Sequence, residues 1–131
     1  MRKLALIFMI FIFLVLPTLA HAQNPISFSS MFIQIWPEYD KPSVLVIYQI
    51  TFAPSTTYPA QVSILIPTAA GEPNAVAEKQ PDGSLFTITY TCQVNGDWAS
   101  INFTTTSSVV QLEYYDPRLT IEGAARHFEY L

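Results

Sequence analysis

The stretch "TITYTCQVNGDWASINFT", residues 87–104, carries two alternating runs on either side of Asn95-Gly96. An Asn-Gly pair between such runs is a strong short-range signal for a β-hairpin, because both residues tolerate the positive φ that a two-residue type I′ turn demands. A turn centred on Asn95-Gly96 sets Val94 opposite Asp97, Gln93 opposite Trp98, Cys92 opposite Ala99, Tyr90 opposite Ile101 and Ile88 opposite Phe103. Side chains alternate between the two faces of a strand. One face then collects Phe86, Ile88, Tyr90, Cys92, Ala99, Ile101 and Phe103, and the other collects the threonines with Gln93, Trp98, Ser100 and Asn102. The pattern predicts a hairpin with one buried face, Cys92 inside and Trp98 on the polar side.

The rest of the chain reads in the same key. Beyond Ala22 no helical period lasts more than a turn or two, while Val, Ile, Thr, Tyr and Phe fill short runs separated by Pro, Gly, Asn and Asp. That is the signature of an all-β sandwich or barrel. Strands are expected near residues 27–36, 43–52, 60–66, 75–79, 84–94, 97–105, 109–115 and 126–131, which makes an immunoglobulin-like antiparallel β-sandwich of seven or eight strands. The run Val44-Leu45-Val46-Ile47 is apolar on both faces, so its strand should be central and covered on both sides at that end.

Residues 1–22 have the three-part layout of a secretory signal: Arg2 and Lys3, an apolar stretch from Leu4 to Leu16, then Ala20-His21-Ala22 as a small-x-small cleavage site. Cleavage leaves residues 23–131 as one domain, secreted or held in the cell envelope. Membrane contact would require an uncleaved signal or an anchor in a longer protein, and the abrupt "HFEYL" ending reads as that of a fragment. Losing Arg2 and Lys3 takes the basic residues from 6 to 4 against 10 acids, so the formal charge moves from −4 to −6. An acidic chain lacks the clustered Lys and Arg that nucleic acid or anionic lipid requires. Cys92, alone, makes no intrachain disulfide.

Catalytic chemistry has little to stand on. His127 is the one histidine outside the leader, and no local motif pairs it with a serine. One His and one Cys do not make a zinc site, and the loop acids Glu38, Asp40, Asp82, Asp97, Glu113 and Asp116 offer calcium its oxygen ligands without an Asp-x-Asp-x-Asp run. A non-enzymatic role with no cofactor is expected; a hydrolase built on Glu38, Asp40 and His127 is the weakest of the alternatives. Asn102-Phe103-Thr104 is an N-glycosylation sequon on the polar face.

Binding has more support, because Trp36, Tyr39 and Trp98 are aromatics at strand ends or on polar faces, with Glu38 and Asp40 beside the first two. A glycan or an envelope protein is the expected ligand, with Trp98 preferred for exposure and Trp36 read as a ring folded inward to plug the sandwich beside Pro37. A spacer domain without a ligand is the alternative. The sequence leaves the oligomeric state open.

Several segments in order, "WPEYDKPSVLVIY", "GEPNAVAEKQPDG", "NGDW" and "VVQLEYYDPR", resemble the N-terminal extracellular module of a family of bacterial envelope proteins without an assigned activity. The resemblance runs from about Ile26 to Leu131. It implies an exported β-sandwich whose module continues past the equivalent of "HFEYL" and can be followed by a membrane segment, and it brings no catalytic residues.

Overall fold

The computed structural model describes residues 26–131, and the signal expected over 1–22 lies outside them. Ten strands follow one another: β1 (Phe28–Pro37), β2 (Val44–Phe52), β3 (Ala60–Pro67), β4 (Ala75–Lys79), β5 (Leu85–Thr87), β6 (Tyr90–Asn95), β7 (Trp98–Thr105), β8 (Val109–Asp116), β9 (Thr120–Glu122) and β10 (Ala125–His127). A 3₁₀ turn at Thr68–Ala70 joins β3 to β4. Among the described residues no helix is long and apolar enough to cross a membrane.

Eight strands form two antiparallel sheets, in the orders β1-β2-β8-β4-β5 and β3-β7-β6, and β9 with β10 makes a separate ribbon. The chain is thus an all-β sandwich with the two-layer architecture of immunoglobulin-like domains and a strand order of its own. Alternation explains the core. Val44, Val46, Tyr48, Ile50 and Phe52 of β2 and Val110, Leu112 and Tyr114 of β8 point inward from the larger sheet. Val62, Ile64 and Ile66 of β3 and Ala99, Ile101 and Phe103 of β7 meet them from the smaller one. The double-sided apolar run does lie in a central strand: Leu45, on the outer face of β2, is 5% exposed.

The hairpin register departs from the expected one. Asn95 lies opposite Trp98, Val94 opposite Ala99, Cys92 opposite Ile101 and Tyr90 opposite Phe103, so the loop residues are Gly96 and Asp97 rather than Asn95 and Gly96. The backbone gives the reason. Gly96 has φ +63° and Asp97 has no positive φ, the pattern of a type II′ turn, in which glycine takes the first central position. Thr68 holds this turn from outside, its Oγ1 donating to the Gly96 carbonyl and its N–H to the Asp97 carbonyl, each at 2.9 Å. Partners shift by two residues along the opposite strand, so both faces keep their membership. Trp98 stands on the polar face as expected. Cys92 is half-buried rather than fully buried, because β6 is the edge of its sheet.

The single strand expected over 84–94 is two strands in different sheets. The Ile88 N–H still donates to the Val76 carbonyl of β4 at 2.9 Å, whereas Tyr90 already pairs with Phe103 of β7. The chain changes layers between them, and Phe86 is exposed in the larger sheet instead of extending the buried face of β6. The strand expected over 126–131 shrinks to β10. Beyond it Phe128 packs on the core and the Tyr130 hydroxyl donates to that of Tyr48 at 3.0 Å. Tyr48 and Tyr114 share a further hydroxyl bond of 2.8 Å across the inner face.

Asp116 closes β8 fully buried, and its carboxylate accepts from the Arg118 guanidinium at 2.5 and 2.9 Å and from the Arg118 N–H at 3.0 Å. Burial pushes its pKa up, but the Arg118 bonds and charge outweigh it, and the net value lies below the usual aspartate range. With the folded value below the unfolded one, the contribution of Asp116 to stability is present at neutral pH. It is lost as pH falls from about 4 through the folded value. Asp116→Asn should lower stability at pH 7 by about 1.5–3 kcal/mol and make the acid limb of a urea-denaturation series between pH 6 and 2 shallower than in the wild type.

Candidate binding site at the β1–β2 corner

β1 ends at Pro37, where Glu38 turns the chain with φ +51°, a conformation uncommon for a side-chain-bearing residue. The Glu38 N–H donates to the Ser43 carbonyl at 2.9 Å, closing the corner that launches β2. Trp36 then stands on the outer face of the larger sheet, 47% exposed, and does not fold inward as a plug. Parity is the reason: Trp36 is opposite Leu45, whose side chain faces outward because its neighbours Val44 and Val46 face the core.

The register extends this into a row. Leu45 pairs with Tyr115 of β8, so Trp36, Leu45 and Tyr115 lie side by side across three strands. Tyr39 meets Trp36 edge-on, ring centroids 5.8 Å apart at 89°, and is 61% exposed. The Lys41 Nζ lies 3.8 Å from the centroid of the Tyr115 ring, a cation–π contact. The neighbouring Asp40 carboxylate pushes the Tyr115 phenol up to about 12. Glu38 pairs with Arg126 of β10, which draws the β9–β10 ribbon to the corner.

The next rows along the same face are amide-rich. Gln34, Ile47 and Glu113 form one row, and Phe32, Gln49 and Gln111 the next. Gln34 accepts from the Trp36 indole at 3.3 Å, while Gln111 and Asn74 donate to Glu113 at 2.7 and 3.4 Å. An exposed indole and phenol beside oriented amides and one carboxylate offer flat rings for apolar sugar faces and donors and acceptors for hydroxyls.

Of the five residues singled out from sequence, the structure gathers Trp36, Glu38, Tyr39 and Asp40 at this corner. Trp98 is at the same end of the sandwich but on the outer face of the other sheet, 38% exposed, opposite Pro67 and Asn95. Hydroxyls and an amide share its face: Ser63 and Ser100 hydroxyls bond at 2.7 Å, and Ser100 donates to Asn102 at 3.2 Å. Phe32 and Gln34 share the face of Trp36 by alternation within β1, whereas Gln49, Gln111, Glu113 and Tyr115 join the corner only through the β1–β2–β8 pairing. Alternation within "VVQLEYYD" does predict that Gln111, Glu113 and Tyr115 share a face, but nothing local says which strands lie beside them.

Other chemistry is not assembled. His127 is exposed, and among the described residues no hydrogen bond or ion pair to a neighbour engages its ring. The acids named for calcium are dispersed, and among the described residues no three His, Cys, Asp or Glu side chains gather closely enough to hold a metal ion. A hollow of about 640 Å³ lined by Tyr58, Lys79, Gln80, Pro81, Thr106 and Ser107 lies at the opposite end of the sandwich from the corner. Compared with protein-family models, curated proteins and solved structures, the chain matches none.

The link between Asp40 and Tyr115 is open to a direct check. In an alkaline absorbance titration Asp40→Asn should bring one tyrosine from about 12 toward the ordinary value near 10, and the same variant combined with Tyr115→Phe should lose that step.

Proposed function

We propose that this chain is an exported, extracytoplasmic β-sandwich that binds a ligand without transforming it, and that the ligand is a glycan held on the outer face of the larger sheet. The reading rests on the Trp36–Leu45–Tyr115 row with its flanking amides. The exposed Trp36 ring, the half-buried Tyr115 ring, four side-chain amides at Gln34, Asn74, Gln49 and Gln111, and the Glu113 carboxylate gather on or beside the outer face of the larger sheet, a form in which a sugar ring can stack while its hydroxyls are hydrogen-bonded. The signal-like layout of residues 1–22 and the acidic remainder support export and argue against nucleic acid as the ligand.

A protein of the envelope is the second reading. The exposed Phe32 further along the same face favours it, since a ring 63% exposed extends the apolar surface beyond what one sugar covers.

Retention on immobilised glycans and on a cell-wall fraction tests both readings. Trp36→Ala should weaken retention about tenfold, with the thermal midpoint close to that of the wild type because the indole is half out of the fold. Trp98→Ala should leave retention intact. If Trp98→Ala abolishes retention and Trp36→Ala does not, the site lies on the smaller sheet. If the wild type is held by no glycan and no envelope fraction, the binding reading fails.

A further inference from the structure

β1 is an edge strand with an apolar side chain at six of its ten positions and no charge anywhere from Phe28 to Pro37. Phe28, Met31, Phe32, Ile35 and Trp36 are all exposed, on both faces of the strand. Soluble sandwiches blunt such edges with lysines, prolines, bulges or short length. Here those devices occur only at the two ends, as a register shift between Phe28 and Ser30 and as Pro37.

The hydrogen-bond phase shows which backbone groups are free among the described residues. The Glu38 N–H donates to Ser43, so Glu38, Trp36, Gln34, Phe32 and Ser30 direct their backbone groups at β2, and the odd-numbered residues direct theirs outward. Pro37 falls in the outward phase, where its missing N–H costs β2 nothing. Between the register shift and Pro37 the open ladder therefore consists of Met31, Ile33 and Ile35, which is symmetric about Ile33.

We propose that two copies of this chain pair along β1, antiparallel and centred on Ile33, to make one continuous ten-stranded sheet. A two-fold axis normal to the sheet sets Ile33 opposite Ile33 of the second copy and Met31 opposite Ile35, each a pair whose N–H and C=O groups both point into the gap. About six ladder bonds form. On the inner face Met31, Ile33 and Ile35 of the two copies become neighbours, and on the outer face Phe32 meets Gln34. A second copy is the partner that fits, because the open donors and acceptors repeat under the two-fold axis and an uncharged strand lets two acidic chains approach there with little local repulsion. The inference stands whether or not the outer face binds a glycan.

Sedimentation equilibrium of the chain, expressed with its leader and purified as the host processes it, should show a monomer–dimer equilibrium below roughly 100 µM, as befits a small interface. Ile35→Lys, at an exposed edge position, should raise the dissociation constant at least about tenfold. Because that variant could also disturb folding, the double variant Phe32→Cys with Gln34→Cys provides a separate readout. Under mild oxidation it should form a covalent dimer, since those residues face each other across the proposed axis at a non-hydrogen-bonded pair. A wild type that stays monomeric at that concentration overturns the proposal. So does a dimer that the cysteine pair fails to trap, which would mean that another surface or a different register joins the copies.

Discussion

A five-stranded sheet packed against a three-stranded one has more inner surface than its partner covers. The smaller sheet lies over β2, β8 and β4, whose inward residues are buried, and leaves β1 and β5 overhanging with exposed Met31, Ile35 and Phe86. This mismatch in width governs much else. It concentrates the apolar core on the central strands. It also places the most apolar edge of the molecule beside its most aromatic corner.

The corner derives its geometry from that core rather than from its own loop. Val44 and Val46 must face inward, so Leu45 faces out, and the β1 and β8 registers then place Trp36 and Tyr115 on either side of it. Local contacts refine the arrangement: the edge-on Tyr39 ring, Lys41 over Tyr115 and the Arg126 pair on Glu38. Exposed ion pairs contribute little to stability, so the Glu38–Arg126 contact acts mainly to position the β9–β10 ribbon against the turn.

Alternation made the architecture legible, and parity made the faces legible, even where the pairing partners were misjudged. In the hairpin the Asn-Gly pair suggested a type I′ turn, but glycine at the first central position and the grip of Thr68 displaced the loop by one residue. Faces survived because partners move by two. The break between β5 and β6 left no mark in the sequence, since Ile88-Thr89 continues the alternation without a glycine or proline. A large ring beside a proline suggests a plug, but the parity of β1 against Val44, Leu45 and Val46 places Trp36 on the outer face. Gln111 and Asn74 reach it only through non-local pairing, which single-strand patterns do not encode.

The hydroxyl contact between Tyr130 and Tyr48 spans 82 residues, and the Arg126–Glu38 pair spans 88. Both fasten a segment synthesised late onto strands synthesised early. Closing loops that long carries a high entropic cost, so the late tyrosine and arginine join strands already paired rather than serve as the nucleus of assembly.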